Sequence, residues 1–151
     1  EGLQHRLTTG EARADFGPAA LHPTAGGVLV AARPPLVAFN VELAPGATLA
    51  DAQSIAAAIR DGGSHGLTGL RAMGLELTHP DGLGVVQVST NVEDHRAVPL
   101  AAVVEAVSQH AGVTGAELVG LAPRAAFDGF PGDLPVRGRR TVEDALDGVS
   151  S

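Results

Sequence analysis

The alternation of apolar and polar side chains is clearest between Leu70 and Val92, LRAMGLELTHPDGLGVVQVSTNV. Successive side chains of a strand point to opposite faces, so Val86, Val88, Thr90 and Val92 fall on one face and Val85, Gln87, Ser89 and Asn91 on the other. In the preceding stretch Arg71, Met73, Leu75 and Leu77 share a face opposed by Leu70, Ala72, Gly74 and Glu76. Asp81-Gly82 supplies turn chemistry, and the pattern predicts a hairpin that turns at His79–Leu83. One face of its second strand is apolar and the other nearly all amide and hydroxyl, which leaves the polar face to a partner, a ligand or water.

The remaining elements follow from the same reading. Leu3 and Leu7 at helical spacing, stopped by Thr8-Thr9-Gly10, predict the end of a helix. Asp15 to Gly27 holds two prolines and three glycines and reads as a loop. Val28–Ala32 and Leu36–Leu43 are β-rich, separated by Pro34-Pro35, which allows only an edge or a bend there. Thr48 caps a helix in which Leu49, Ala52, Ile55, Ala56 and Ile59 recur on one side. Pro99 opens a second helix with a stripe of Leu100, Val103, Val104, Val107 and Ala111. Ala116–Ala122 reads as a fourth strand. Phe127–Arg140 reads as loop, and Thr141 with Asp144 starts a last short helix.

The order β-α-β-β-α-β predicts an α+β, ferredoxin-like domain, an antiparallel four-stranded sheet with two helices on one face. The helices cover the apolar face, so Asn40, Gln87, Ser89 and Asn91 are expected on the uncovered one. The expected division is 1–27 as a helix end and loop, 28–126 as the ferredoxin-like domain and 127–151 as a tail.

Composition narrows the function. At 151 residues the chain is one domain's worth, enough to bury about two-thirds of its unfolded surface. With four Phe and neither Trp nor Tyr, the core must be built from small aliphatic groups. A net charge of −7 argues against a broad nucleic-acid footprint or an anionic membrane surface, though not against a local basic pocket. The absence of cysteine removes disulfide and thiolate chemistry and fits a reducing, cytoplasmic setting. No apolar run of about 18 residues is available to span a membrane. The chain starts at Glu1 without methionine, as a piece processed or cut from something longer is expected to.

Local chemistry is sparse. No two histidines stand at i, i+4, and no His- or Asp-rich cluster has metal-ligand spacing, so no metal is expected. Gly62-Gly63-Ser64-His65-Gly66 lacks the lysine and the strand-to-helix setting of a phosphate loop. Glu93-Asp94-His95-Arg96 places carboxylates beside a histidine, but adjacent charges in a strand-to-helix loop read as a solvated cap before they read as a base pair.

Five segments, DFGPAALHPTAGG, AARPPLVAFNVEL, GLRAMGLEL, VQVSTNVED and AELVGLAPRAA, in this order and spacing, resemble the C-terminal half of the formiminotransferase domain of glutamate formimidoyltransferase. In the bifunctional members that domain is joined to a cyclodeaminase. The likeness runs from about Asp15 to Ala126, and Glu1–Arg13 resembles the end of the first half. It implies transfer of a formimino group from N-formimino-L-glutamate to tetrahydrofolate in histidine breakdown, between two ferredoxin-like subdomains whose sheets face each other around folate. It places one folate-contacting segment on Gly17–Gly26, including Pro18 and His22, and a second on His65–Gly74, including Gly66 and Arg71. Arg33 is expected to meet an anionic tail, and glycines at Gly17, Gly26 and Gly74 to let the backbone approach a flat pterin ring.

The family's catalytic histidine belongs to a stretch like D-x-D-H-N-R-S-V in the first subdomain, which these residues do not contain. Glu93–Val98 has only a superficial likeness to it, and no catalytic residue is assigned, His95 included. Two readings follow. One is the folate-binding half of a formimidoyltransferase, inactive without its first-half subdomain. The other is a ferredoxin-like module that binds folate or self-associates without catalysis. Tetrahydrofolate, formiminoglutamate and either a first-half subdomain or a second copy are the expected partners.

Overall fold

The computed structural model describes residues 2–18, 20–78 and 84–148. The chain separates into two compact units, Glu1–Ala32 and Arg33–Ser151.

The smaller unit carries α1 (Leu3–Thr8) and a loop closed by a turn in which the Gly26 amide donates to the His22 carbonyl at 3.0 Å. The strand expected over Val28–Ala32 does not form. Its apolar residues Val28, Leu29 and Val30 are exposed, and no described strand pairs with them. β-rich composition makes a strand only where a ladder is offered, and Pro34-Pro35, lacking amide protons, cannot carry the ladder of β1 back toward it.

In the larger unit β1 (Val37–Leu43), α2 (Leu49–Ile59), β2 (Leu70–Thr78), β3 (Gly84–Val92), α3 (Leu100–Ser108) and β4 (Val113–Val119) follow one another, and β5 (Val136–Arg137) and α4 (Val142–Asp147) complete it. The sheet order is β2-β3-β1-β4-β5. The first three pairings are antiparallel, and β5 lies parallel to β4. The architecture is thus α+β with a mixed five-stranded sheet, where four antiparallel strands were expected. The fifth strand comes from the Phe127–Arg140 stretch, which had read as loop. The hairpin strands form as expected, while their turn, His79–Leu83, lies outside the described residues.

One face of the sheet carries the core. Val37, Phe39, Val41, Val88 and Val92 are fully buried there, and α2 and α3 cover them with Ala52, Ile55, Ala56, Ile59, Leu100, Val103, Val104 and Val107. Leu49 is only half-buried. Thr90 shares this face without cost, because its hydroxyl donates to the Phe39 carbonyl. The aromatic share is concentrated at one end, where Phe130 packs edge-on against Phe39 at 5.9 Å and against Phe127 at 5.5 Å. The Arg139 guanidinium lies 4.5 Å over the Phe127 ring.

The helix starts were written in the sequence. Thr48 and Asp51, and again Thr141 and Asp144, form reciprocal capping boxes. The Thr48 hydroxyl, then its backbone amide, hold the Asp51 carboxyl below the ordinary carboxylate range, and Thr141 does the same for Asp144. β4 ends at Val119 rather than Ala122, because Gly120 takes a positive φ of 83° that leaves the ladder.

Candidate functional site

Directly paired residues of neighbouring strands point to the same face, so the register defines what the helix-free side of the sheet presents. One row runs Arg71, Asn91, Ala38, Val119. The next runs Met73, Ser89, Asn40, Glu117, Arg137, and a third Leu75, Gln87, Glu42, Gly115. Asn40, Gln87, Ser89 and Asn91 therefore do share the face left open by the helices. Two of them are nonetheless deep: Gln87 is 1% exposed and Asn40 7%. Both stand on central strands and form the floor, while the exposed Arg71, Met73 and Val119 form the rim. Asn40 is held in place by donating from Nδ2 to Glu117 Oε2 at 3.0 Å.

The charges of this face sit at two corners. At one, Glu93 takes Arg71 through Nε at 2.9 Å and through a second, shorter guanidinium contact, and Arg33 approaches its other oxygen at 3.5 Å. Both arginine side chains keep most of their surface in solvent, 65% for Arg33 and 64% for Arg71. One carboxylate thus faces two cations. At the other corner Arg137 bonds Glu42 and lies 3.7 Å from Glu117, so one cation faces two carboxylates.

The expected site residues divide accordingly. Arg33 and Arg71 come together, through a glutamate not singled out as their partner. Glu93 extends the Gln87, Ser89, Asn91 alternation by one step, and its amide donates to Gly69 across the strand pair. Strand parity carried past Val92 was the signal that reveals it. His65 and Gly66 lie in the turn after α2. The His65 ring packs against Ser64 Oγ at 3.2 Å and edge-on to His110 at 5.5 Å. Gly74 points away from the open face. A Cβ there would meet the backbone of α2, at Gln53 N and at 2.6 Å from Ala52 C, so its missing side chain admits the helix rather than a flat ring.

Gly17, Pro18, His22 and Gly26 belong to the smaller unit. Pro18, His22 and Gly26 line a cavity of about 540 Å³ there with Leu3, Phe16 and Leu21. The His22 ring is committed to its own turn, Nδ1 accepting from the amides of Thr24 and Ala25 at 3.3 and 3.1 Å.

Other places offer less. A concavity of about 440 Å³ beside the start of α2 includes Ser54 and His110, but its carboxylate, Asp51, is spent on the cap. His95 is 5% exposed, and its Nδ1 is buried without a hydrogen-bond partner. Asp94 caps its own loop by accepting from the Arg96 amide at 3.0 Å. Among the described residues no group of three or more His, Asp or Glu side chains is placed to hold a metal ion, and no helix is long and apolar enough to cross a membrane.

Comparison with known proteins places the chain in a family. Residues 38–128, more than half of the chain, match the family model of the formiminotransferase domain. A glutamate formimidoyltransferase of Streptococcus pyogenes serotype M1 is 35% identical over 132 residues, covering 84% of this chain and 42% of the relative. The formimidoyltransferase-cyclodeaminases of Dictyostelium discoideum and Gallus gallus are 33% and 35% identical over 137 residues, again 84% of this chain but 25% and 24% of theirs. The chain therefore spans less than half the length of these relatives.

Proposed function

The chain belongs to the formiminotransferase domain family, and from that premise we propose that it is the folate-binding, C-terminal subdomain of a glutamate formimidoyltransferase. In this reading the larger unit is a ferredoxin-like core, with β5 added at its edge, and the first 27 residues are the trailing end of a preceding subdomain. The helix-free sheet face is the surface turned toward tetrahydrofolate. Formimino transfer from N-formimino-L-glutamate takes place there once a first-half subdomain supplies the proton-transfer histidine.

The observation that supports this most is the face itself. A sheet side on which Ser89 and Asn91 stay partly exposed over the buried amides of Asn40 and Gln87, with two largely exposed arginines at one corner, offers a polar ring hydrogen-bonding groups and a carboxylate two cations. The family's two folate segments fall in different units here, and each is proposed on its own. In the larger unit Arg71 and Arg33 are the ligand residues, with Gly74 acting through packing. In the smaller one Gly17–Gly26 is the contact segment.

Calorimetric titration of tetrahydrofolate into the chain tests the reading. Arg33→Ala should weaken binding by about 1.5–3 kcal/mol, the worth of a charge-assisted hydrogen bond. Unchanged affinity would remove Arg33 from the site and leave its contact with Glu93 as a surface ion pair.

A further inference from the structure

Two histidines in the helix layer take no part in the sheet face described above. His65 belongs to the loop after α2 and is anchored by its amide, which donates to the Ala58 carbonyl at 3.0 Å. His110 lies two residues past the end of α3, with its amide donating to the Val107 carbonyl at 3.0 Å. The fold brings their rings together with centroids 5.5 Å apart and planes inclined by 65°, and both residues are exposed. That separation suits a shared metal ion. A tetrahedral ion about 2.0–2.1 Å from one nitrogen of each ring, with about 1.15 Å more to each ring centre, sets the two centroids roughly 5.2 Å apart. No spacing in the sequence announces the pair, because its members come from the ends of different helices.

We propose that His65 and His110 together bind a divalent first-row transition metal ion, zinc above all, and that the ion pins the loop after α2 to the end of α3. The surroundings suit a cation. His65 Nδ1 stands 3.2 Å from Ser64 Oγ. With the proton on Nδ1 donated to that hydroxyl, Nε2 keeps its lone pair, and a hydrogen bond on the second ring nitrogen is how metal-bound histidines are oriented. Among the described residues no hydrogen bond engages the ring of His110. It follows the C-terminus of α3, where the helix dipole favours positive charge. His110 also lines the concavity of about 440 Å³ that contains Ser54. Water entering there completes the coordination, since no third His, Asp or Glu is placed to do so among the described residues. Imidazole suits zinc, copper and nickel, whereas magnesium takes oxygen ligands and is not expected to compete. The site stands independently of the folate reading.

The test is titration of zinc chloride into the untagged, chelator-stripped chain by calorimetry, with magnesium chloride as the control and circular dichroism to confirm folding. One zinc ion per chain is expected, and no heat from magnesium. His65→Gln and His110→Gln should each weaken zinc binding about tenfold or more, the least that a lost ligand should cost when groups that only orient a ligand are worth that much. Zinc at about 100 times its Kd should raise the melting temperature of the parent by roughly 5–10 °C, and that of each variant by about half as much or less. Nuclear magnetic resonance of the parent needs no variant at all: the ring signals of His65 and His110 should shift together as zinc is added. Zinc binding that either folded variant retains in full, a ring signal of either histidine that stays still while zinc binds, or no zinc binding at all would overturn the proposal. The pair would then be an edge-on ring contact and nothing more.

Discussion

Replacing Val104 by Asp should abolish the cooperative melting of the chain. Val104 lies on the buried stripe of α3 with Leu100, Val103 and Val107, pressed onto the sheet face that holds Val37, Phe39 and Val41. Among the described core residues of that face, the hydroxyl of Thr90 is already donated to the Phe39 carbonyl and leaves no donor for a carboxylate. A charge buried unpaired costs several kcal/mol, or else the group takes up a proton and is still left without partners. Domains of this size hold about 5–15 kcal/mol in all, so the loss is decisive. Val119→Asp is the matched control: the same substitution on the open face, at a position 52% exposed, should shift stability by less than about 1 kcal/mol. Thermal unfolding followed by circular dichroism compares the two. If Val104→Asp melts like the parent, the helices do not cover the face described.

The chain by itself should not form 5-formiminotetrahydrofolate at a useful rate. Transfer requires protons to move between the donor and acceptor nitrogens, and a positioned acid or base typically contributes about 10²–10⁴-fold. His95 is the histidine that the sequence sets beside carboxylates, and the fold buries it with its Nδ1 unpartnered. Among its described residues the open face presents amides, a hydroxyl and ion-paired side chains, and no histidine to shuttle a proton. Adding a separate first-half domain containing D-x-D-H-N-R should restore turnover, because holding two substrates in one geometry makes the transfer effectively unimolecular. His95→Ala should leave the reconstituted rate unchanged. Turnover by the chain alone that vanished in His95→Ala would make that loop catalytic.

Much of this was legible because strands and helices advertise themselves through period and caps. The two-residue alternation from Gln87 to Asn91 placed the polar face, and Thr48 alone and Thr141 with Asp144 marked helix starts, both of which form capping boxes. The misreadings share a cause: they depend on partners distant in sequence. Val28–Ala32 has the composition of a strand but no ladder to join. β5 is two residues long, too short for any periodicity, and exists because β4 has an edge to pair. Gly74 read as a place for a ligand to come close, and the approach is instead that of α2. Glu93 read as part of a solvated cap. Its contacts with Arg33 and Arg71 cross from one strand end to two other segments, which no local pattern encodes.

Nuclear magnetic resonance titration of tetrahydrofolate into the isotopically labelled chain addresses the ligand face most directly, because side-chain N–H groups report the face on which they lie. The Nδ2 signals of Asn40 and Asn91, the Nε2 signal of Gln87 and the Nε signal of Arg71 should shift in concert and saturate together. The backbone amides of α2 and α3, on the far side of the sheet, should move little. Shifts confined to those helices, or open-face side-chain signals that stay still while folate binds, would contradict the assignment of the open sheet face as the folate surface.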